Sequence, residues 1–288
     1  MNSDTRYKTL EGERRVMALY DAALKNWSVG DETRMMATRH GDTYVIASGD
    51  AKSPAMILLH GAGGNSTMWA GDVKDYSQHF RVYALDLPGE AGKSAANRPA
   101  WDSPAFAEWL EDVMNGLHIE QVTLVGISQG AWTALKFATT HPERVDKLVL
   151  MAPGGVVPDR KSFLIRAIGS MLLGKWGITR MVHALFGDQS VPDGVVDIVV
   201  QMTASFKPRM GVLPIFSDDE LRRLTMPTFL IGGTKDIIRD TSQIEARLRD
   251  FVPDLTVKII AGAGHALINT GEAVMQFLED KTPELEMA

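Results

Sequence analysis

A serine framed by glycines, Gly126-Ile127-Ser128-Gln129-Gly130, follows the apolar run from Val122 to Val125 and leads into a helix-like segment. At a strand–turn–helix junction this spacing forces Ser128 into strained backbone angles. The residues two before and two after it then crowd together, so both must lack a bulky side chain. Such a turn presents a hydroxyl for nucleophilic attack, and a serine nucleophile needs a base. His265, in Gly262-Ala263-Gly264-His265, follows the last strand-like run, Val257 to Ile260. The base needs an orienting carboxylate. Asp236, in Gly232-Gly233-Thr234-Lys235-Asp236, directly follows the apolar run Thr228 to Ile231. Asp240 competes for that role but falls where the next helix begins. The chain order is therefore nucleophile Ser128, acid Asp236, base His265.

A tetrahedral intermediate also needs donors for its oxyanion. One is the backbone N–H after the nucleophile, that of Gln129. The other comes from the loop Leu59-His60-Gly61-Ala62-Gly63-Gly64-Asn65, where Ala62 is the best candidate and the glycines let the chain pass close to a substrate. The bland alternatives are an ordinary strand–helix turn with a capping serine, a surface histidine, and a phosphate-binding glycine loop. The last fails because no Gly-x-Gly-x-x-Gly is completed. Gly92-Lys93-Ser94 ends like a Walker A loop, but the required earlier glycine is Leu87. The better account of that stretch is a glycine-rich bend with Asp86 bonding the loop backbone.

The elements that must position these groups alternate. Residues 11–27 space Val16, Leu19, Tyr20, Ala23, Leu24 and Trp27 as one apolar stripe of a helix. Arg34 to Arg39 and Thr43 to Ser48 flank Gly41-Asp42 as a hairpin. Met56–Leu59 reads as a strand buried on both faces, and Val82–Leu85, Val122–Val125, Lys147–Met151, Thr228–Ile231 and Val257–Ile260 read as further strands. Helices are predicted over Phe106–Leu117, Trp132–Thr140, Ser162–Leu173, Thr179–Phe186, Gly194–Ala204, Asp218–Leu224, Ser242–Phe251 and Ala273–Leu278. Repeated strand–helix units predict an α/β fold with a mostly parallel central sheet, helices on both faces and an antiparallel edge. The strand-free stretch between Pro153 and Pro227 predicts a helical cap. The expected division is a core of residues 1–153 and 226–288 and a cap of residues 154–225. Phe163, Met171, Leu172, Met181, Phe186 and Phe206 are expected to roof an apolar pocket over Ser128.

Composition removes other classes. With no cysteine among 288 residues there is no disulfide framework, thiolate metal site or thiol catalysis. A net charge of −6 gives no electrostatic reason to bind nucleic acid or anionic lipid. The seven histidines form no His-Glu-x-x-His or other close pair, so no metal is expected. The most apolar stretch, Phe163 to Leu173, carries Arg166 and falls short of the ~20 residues of a membrane span. The N-terminus has no secretory pattern, which predicts a cytoplasmic protein.

On His60-Gly61-Ala62, Asp86-x-Pro88-Gly89, Gly126-x-Ser128-x-Gly130, Asp236 and Gly264-His265, the chain resembles the α/β-hydrolases over nearly its whole length. It more closely resembles the bacterial carboxylesterases of the naproxen-esterase type. Trp27, Tyr44 to Gly49, Ser66-Thr67-Met68-Trp69 and Phe251-Val252-Pro253-Asp254 carry that likeness. The residue after the serine, Gln129, departs from it. The resemblance implies cofactor-free hydrolysis of small apolar carboxylic esters through an acyl-enzyme. The same residues are open to other chemistry on this triad, namely C–C bond or lactone hydrolysis and acyl transfer. A small-molecule binding protein on a hydrolase scaffold is the remaining alternative.

Overall fold

The computed structural model describes residues 6–209 and 211–279, with the side chains of these except at positions 164 and 171. Helix α1 (Leu10–Leu24) opens on Thr9, whose side chain accepts the Gly12 N–H at 2.9 Å. The stripe predicted through Trp27 ends as helix at Leu24. Trp27 instead turns inward, is buried, and donates its indole N–H to Ser48 Oγ at 3.0 Å.

The strands are β1 (Asp31–Met36), β2 (Thr43–Ser48), β3 (Ala55–Leu59), β4 (Arg81–Leu85), β5 (Val122–Ile127), β6 (Val145–Met151), β7 (Thr228–Gly233) and β8 (Leu255–Ile260). They form one eight-stranded sheet in the order β1-β2-β4-β3-β5-β6-β7-β8. β1 and β2 pair antiparallel, β2 joins β4 antiparallel, and the remaining pairs are parallel. β1 begins three residues before its predicted start at Arg34. Its first five residues are exposed, so no burial pattern marked its register.

Alternation along the buried strands divides the core into two layers. Ile57, Leu59, Leu124, Leu148, Leu150 and Leu230 face one side with α3 (Ala105–Gly116), α4 (Gln129–Thr140) and α9 (Thr241–Phe251). Met56, Leu58, Val125, Val149, Phe229 and Ile231 face the other with α2 (Val73–Tyr76) and α10 (Gly271–Glu279). Between β6 and β7 the chain forms α5 (Lys161–Leu172), α6 (Gly174–Phe186), α7 (Val195–Ser205) and α8 (Asp218–Leu221). Leu221 and the following Leu224 pack back into the first layer. α5 and α6 leave Ile165, Ile168, Leu172, Leu173 and Trp176 exposed.

The sheet order reverses at β3, whose neighbours β4 and β5 lie on opposite sides. The register pairs Leu59 with Gly126, Ile127 with Met151, and Met151 with Ile231. The loops that follow β3, β5, β6 and β7 therefore leave from one edge, at the place where ligands collect in open α/β sheets.

Candidate active site

Ser128 sits between β5 and α4 with φ 55° and ψ −108°, a conformation that costs about 1–3 kcal/mol unless its surroundings hold it. They do. The Ser128 N–H donates to the Met151 carbonyl at 2.8 Å, which continues the sheet pairing to the turn. A Cβ on Gly130 would stand 2.0 Å from the Leu59 carbonyl oxygen, and one on Gly126 2.6 Å from the Ala131 nitrogen. The glycine spacing thus reflects backbone packed on backbone.

Three residues from three loops meet at this turn. Ser128 Oγ lies 2.9 Å from His265 Nε2, and His265 Nδ1 lies 2.8 Å from Asp236 Oδ2. The other carboxylate oxygen, Oδ1, accepts the backbone N–H groups of Ile238 (2.7 Å) and Arg239 (3.0 Å). Burial would raise the Asp236 pKa, but the hydrogen bond and charge of His265, with these two amides, outweigh it and hold the group below the usual carboxylate range. An ionised Asp236 accepts from Nδ1–H, leaving Nε2 free to take the serine proton. Asp240 is placed elsewhere. It caps α9 by accepting from the Ser242 and Gln243 amides and pairs with Arg160 at 2.9 Å.

The histidine loop is clamped by the end of α6. Gly264 N–H donates to the Phe186 carbonyl (3.1 Å) and Ala266 N–H to that of Leu185 (2.8 Å), on either side of His265. No feature of the sequence signalled this contact.

The loop after β3 passes beside the serine, close enough that a Cβ on Gly61 would be 3.7 Å from that of Ser128. Among the described residues, the amides of Ala62 and Gln129 donate to no protein acceptor. They are the two predicted oxyanion donors, and both are left open. His60, fully buried, fixes the start of this loop. Its Nε2 accepts the Leu87 N–H at 2.9 Å, so its Nδ1 carries the proton given to the Gly61 carbonyl at 2.8 Å. Glu90 fixes the other end, with Oε2 accepting the Gly63 N–H at 2.8 Å and Oε1 the Gln129 side-chain amide at 3.0 Å. The sequence pointed to neither role. Asp86 bonds its bend as expected, accepting the Lys93 and Ser66 N–H groups.

Of the side chains expected to roof Ser128, Leu172 is 83% exposed and Phe206 packs edge-on against Tyr7. Phe163 and Met181 are half-buried and Phe186 is buried, while the side chain of Met171 lies outside the described residues. A polar cleft of about 480 Å³ lined by Asn115, His118, Ile119, Glu120 and Arg144 opens at the opposite, amino edge of the sheet, far from this chemistry. Among the described residues no three His, Asp or Glu side chains group as metal ligands, and no helix is long and apolar enough to cross a membrane.

Comparison with known proteins gives the same picture. Residues 54–182 match the alpha/beta hydrolase fold family model. An uncharacterized carboxylesterase, nap, of Bacillus subtilis is 31% identical over 93% of both chains. The carboxylesterase YbfK of the same organism is 32% identical over 91% of this chain and 90% of its own. The crystal structure of the naproxen esterase of Bacillus subtilis superposes with a TM-score of 0.84 at 30% identity, covering 94% of this chain and 99% of that one. With the strained serine turn, the Ser–Asp–His row and two relatives above 30% identity along nearly their whole length, this chain belongs to the alpha/beta hydrolase fold family.

Proposed function

We propose that this protein is a serine carboxylesterase acting on small, largely apolar esters through an acyl-enzyme. The observation that carries the reading is the continuous row Asp236–His265–Ser128, set on a strained turn beside two unpaired amides. The curated relatives are named as carboxylesterases, which supports the same chemistry. Ser128 Oγ attacks the acyl carbon as His265 Nε2 takes its proton. The Ala62 and Gln129 amides hold the oxyanion, and His265 returns the proton to the departing alcohol. Asp236 keeps the Nδ1–H tautomer and stabilises the imidazolium. Water activated by the same histidine then releases the acid. No step calls for a cofactor.

The division into a core (1–153 and 226–288) and a cap (154–225) belongs to this reading, with the end of α6 holding the histidine loop. A cytoplasmic location is part of the same proposal. The test is a fluorophosphonate probe followed by peptide mapping, alongside turnover of p-nitrophenyl butyrate. The expected result is a single adduct on Ser128 and a fall of about 10⁴–10⁶ in kcat for Ser128→Ala. An adduct on another serine, or an active Ser128→Ala protein, overturns the reading.

A further inference from the structure

The side chain of Arg239 has no part in the chemistry above, yet it touches the nucleophile. Its residue is 4% exposed, and Nη1 lies 3.4 Å from both Ser128 Oγ and the Ala152 carbonyl. Its Nε is 2.6 Å from Asp159 Oδ1, but the N–H is not aligned on that oxygen and makes no hydrogen bond. Among the described residues Nη2 has no acceptor at all. A guanidinium presents five N–H donors in a rigid planar fork. Here two contacts are long, one ion pair is misaligned, and the rest of the fork is unfilled.

The buried Nε left without a hydrogen bond is costly, since an unmade hydrogen bond carries the desolvation of its donor, whereas Nη2 keeps access to solvent. A purely structural arginine would close its fork on Asp159, which offers two carboxylate oxygens. The guanidinium makes no aligned hydrogen bond to either of them. The unfilled edge lies instead beside Ser128 and Gly154, where a Cβ would come within 3.4 Å of Nη2. Arg239 follows β7 and reaches Ala152 after β6, on the side of Ser128 opposite the loop that follows β3. The oxyanion takes the direction of the Ala62 and Gln129 amides and the alcohol that of His265 Nε2. The acyl substituent takes the direction left, towards the guanidinium.

We propose that Arg239 is a specificity residue that binds a carboxylate on the acyl group, so that the preferred substrates are half-esters of short dicarboxylic acids. The inference rests on the ester-hydrolase reading and narrows it: the acyl chain is apolar except for one terminal anion. In the reaction the ester C–O bond breaks and water supplies the new carboxyl oxygen. Alcohol, a dicarboxylate and one proton are released.

The experiment compares monomethyl succinate with methyl 4-methylpentanoate, a neutral ester of the same shape. Wild-type kcat/KM is expected to favour the half-ester by about tenfold or more, the discrimination of a buried charge-assisted hydrogen bond. Arg239→Met should bring the ratio below one, and Arg239→Lys should keep part of it. Free succinate should inhibit wild-type hydrolysis of the neutral ester competitively, at concentrations where 4-methylpentanoate does not. That inhibition decides the matter if the Met variant fails to fold. Equal wild-type constants for the two esters, with no selective succinate inhibition, overturn this proposal and leave the esterase reading standing. Failure to hydrolyse either ester, with no fluorophosphonate adduct on Ser128, overturns both. A charge preference that survives in a folded Arg239→Met protein removes Arg239 as its source.

Discussion

The carboxylate of Glu90 joins the loop after β3 to Gln129, because it accepts the side-chain amide of Gln129 at 3.0 Å while its other oxygen accepts the Gly63 N–H. The backbone amide of Gln129 is one of the two proposed oxyanion donors, and Gly63 adjoins Ala62, whose amide is the other. A buried acid thus sets the spacing of two amides that follow different strands.

Glu90→Ala should therefore act through position rather than contact. It strands two donors, at about 1–3 kcal/mol for each that stays buried, and frees the loop after β3. Misplacing one oxyanion donor is expected to lower kcat by about 10–100-fold, somewhat less than deleting it, with KM changed less than about threefold. Affinity for a trifluoromethyl ketone analogue should fall in parallel with kcat. If rate per fluorophosphonate-titrated site is unchanged and only the melting temperature drops, Glu90 is structural.

Asp236→Asn should cost roughly 10⁴ in kcat, because an amide facing Nδ1 favours the wrong histidine tautomer. Asp240→Asn should cost less than about tenfold. Its carboxylate caps α9 and pairs with the half-exposed Arg160, so its loss bears on stability, by about 0.5–2 kcal/mol at most for a cap. Steady-state kinetics of the two purified variants settle the ranking, and a reversed order would remove Asp236 from its assigned role.

The sheet and the Ser–Asp–His row were legible because both leave local signatures. Short runs rich in apolar residues, each closed by a glycine or proline soon after, marked the parallel strands, and Ser128, Asp236 and His265 each follow such a run. Exposed β1 has no such pattern, and its start was misplaced. α4 was read from Trp132, because the strained turn hides its true first residue, Gln129. Glu90 and Arg239 were invisible for a different reason. Each lies in a polar loop, and its importance comes from contacts with residues distant in the chain. Glu90 meets Gln129 across 39 positions and Arg239 meets Ser128 across 111.

Two glycines separate packing from propensity. A Cβ on Gly130 would meet the carbonyl of Leu59 at 2.0 Å, backbone that cannot move without tearing the sheet at the active edge. Gly130→Ala is expected to lose about 4 kcal/mol or more, or to yield no soluble protein. Gly169, inside α5, has nothing within 4 Å of a Cβ. Gly169→Ala should gain about 0.5–1 kcal/mol from helix propensity. Urea denaturation of both variants tests the pair, and a Gly130→Ala protein of wild-type stability would mean that the turn is looser than its geometry states.

Asp72, just before α2, should make stability depend on pH in the direction opposite to most carboxylates. Burial first, and the charge of Asp75 second, raise its pKa from 3.8 to about 6, and its side chain makes no capping hydrogen bond. Below the unfolded value both states hold the proton and nothing is lost. Between 3.8 and about 6 the folded chain keeps a proton that the unfolded chain releases, so stability falls as pH rises, and above about 6 the full penalty stands. Two pKa units correspond to at most about 3 kcal/mol. The start of α10 lies close by, where a Cβ on Gly271 would be 3.3 Å from Asp72 Oδ1, and a helix N-terminus favours the charged form by about 0.3–1 kcal/mol. Burial is the larger effect and decides the sign. Asp72→Asn should therefore melt higher than wild type at pH 8, by a few degrees, with the gap closing as pH falls towards 4. Calorimetry across that range provides the check. A gap that stays constant with pH would show that Asp72 keeps an ordinary pKa.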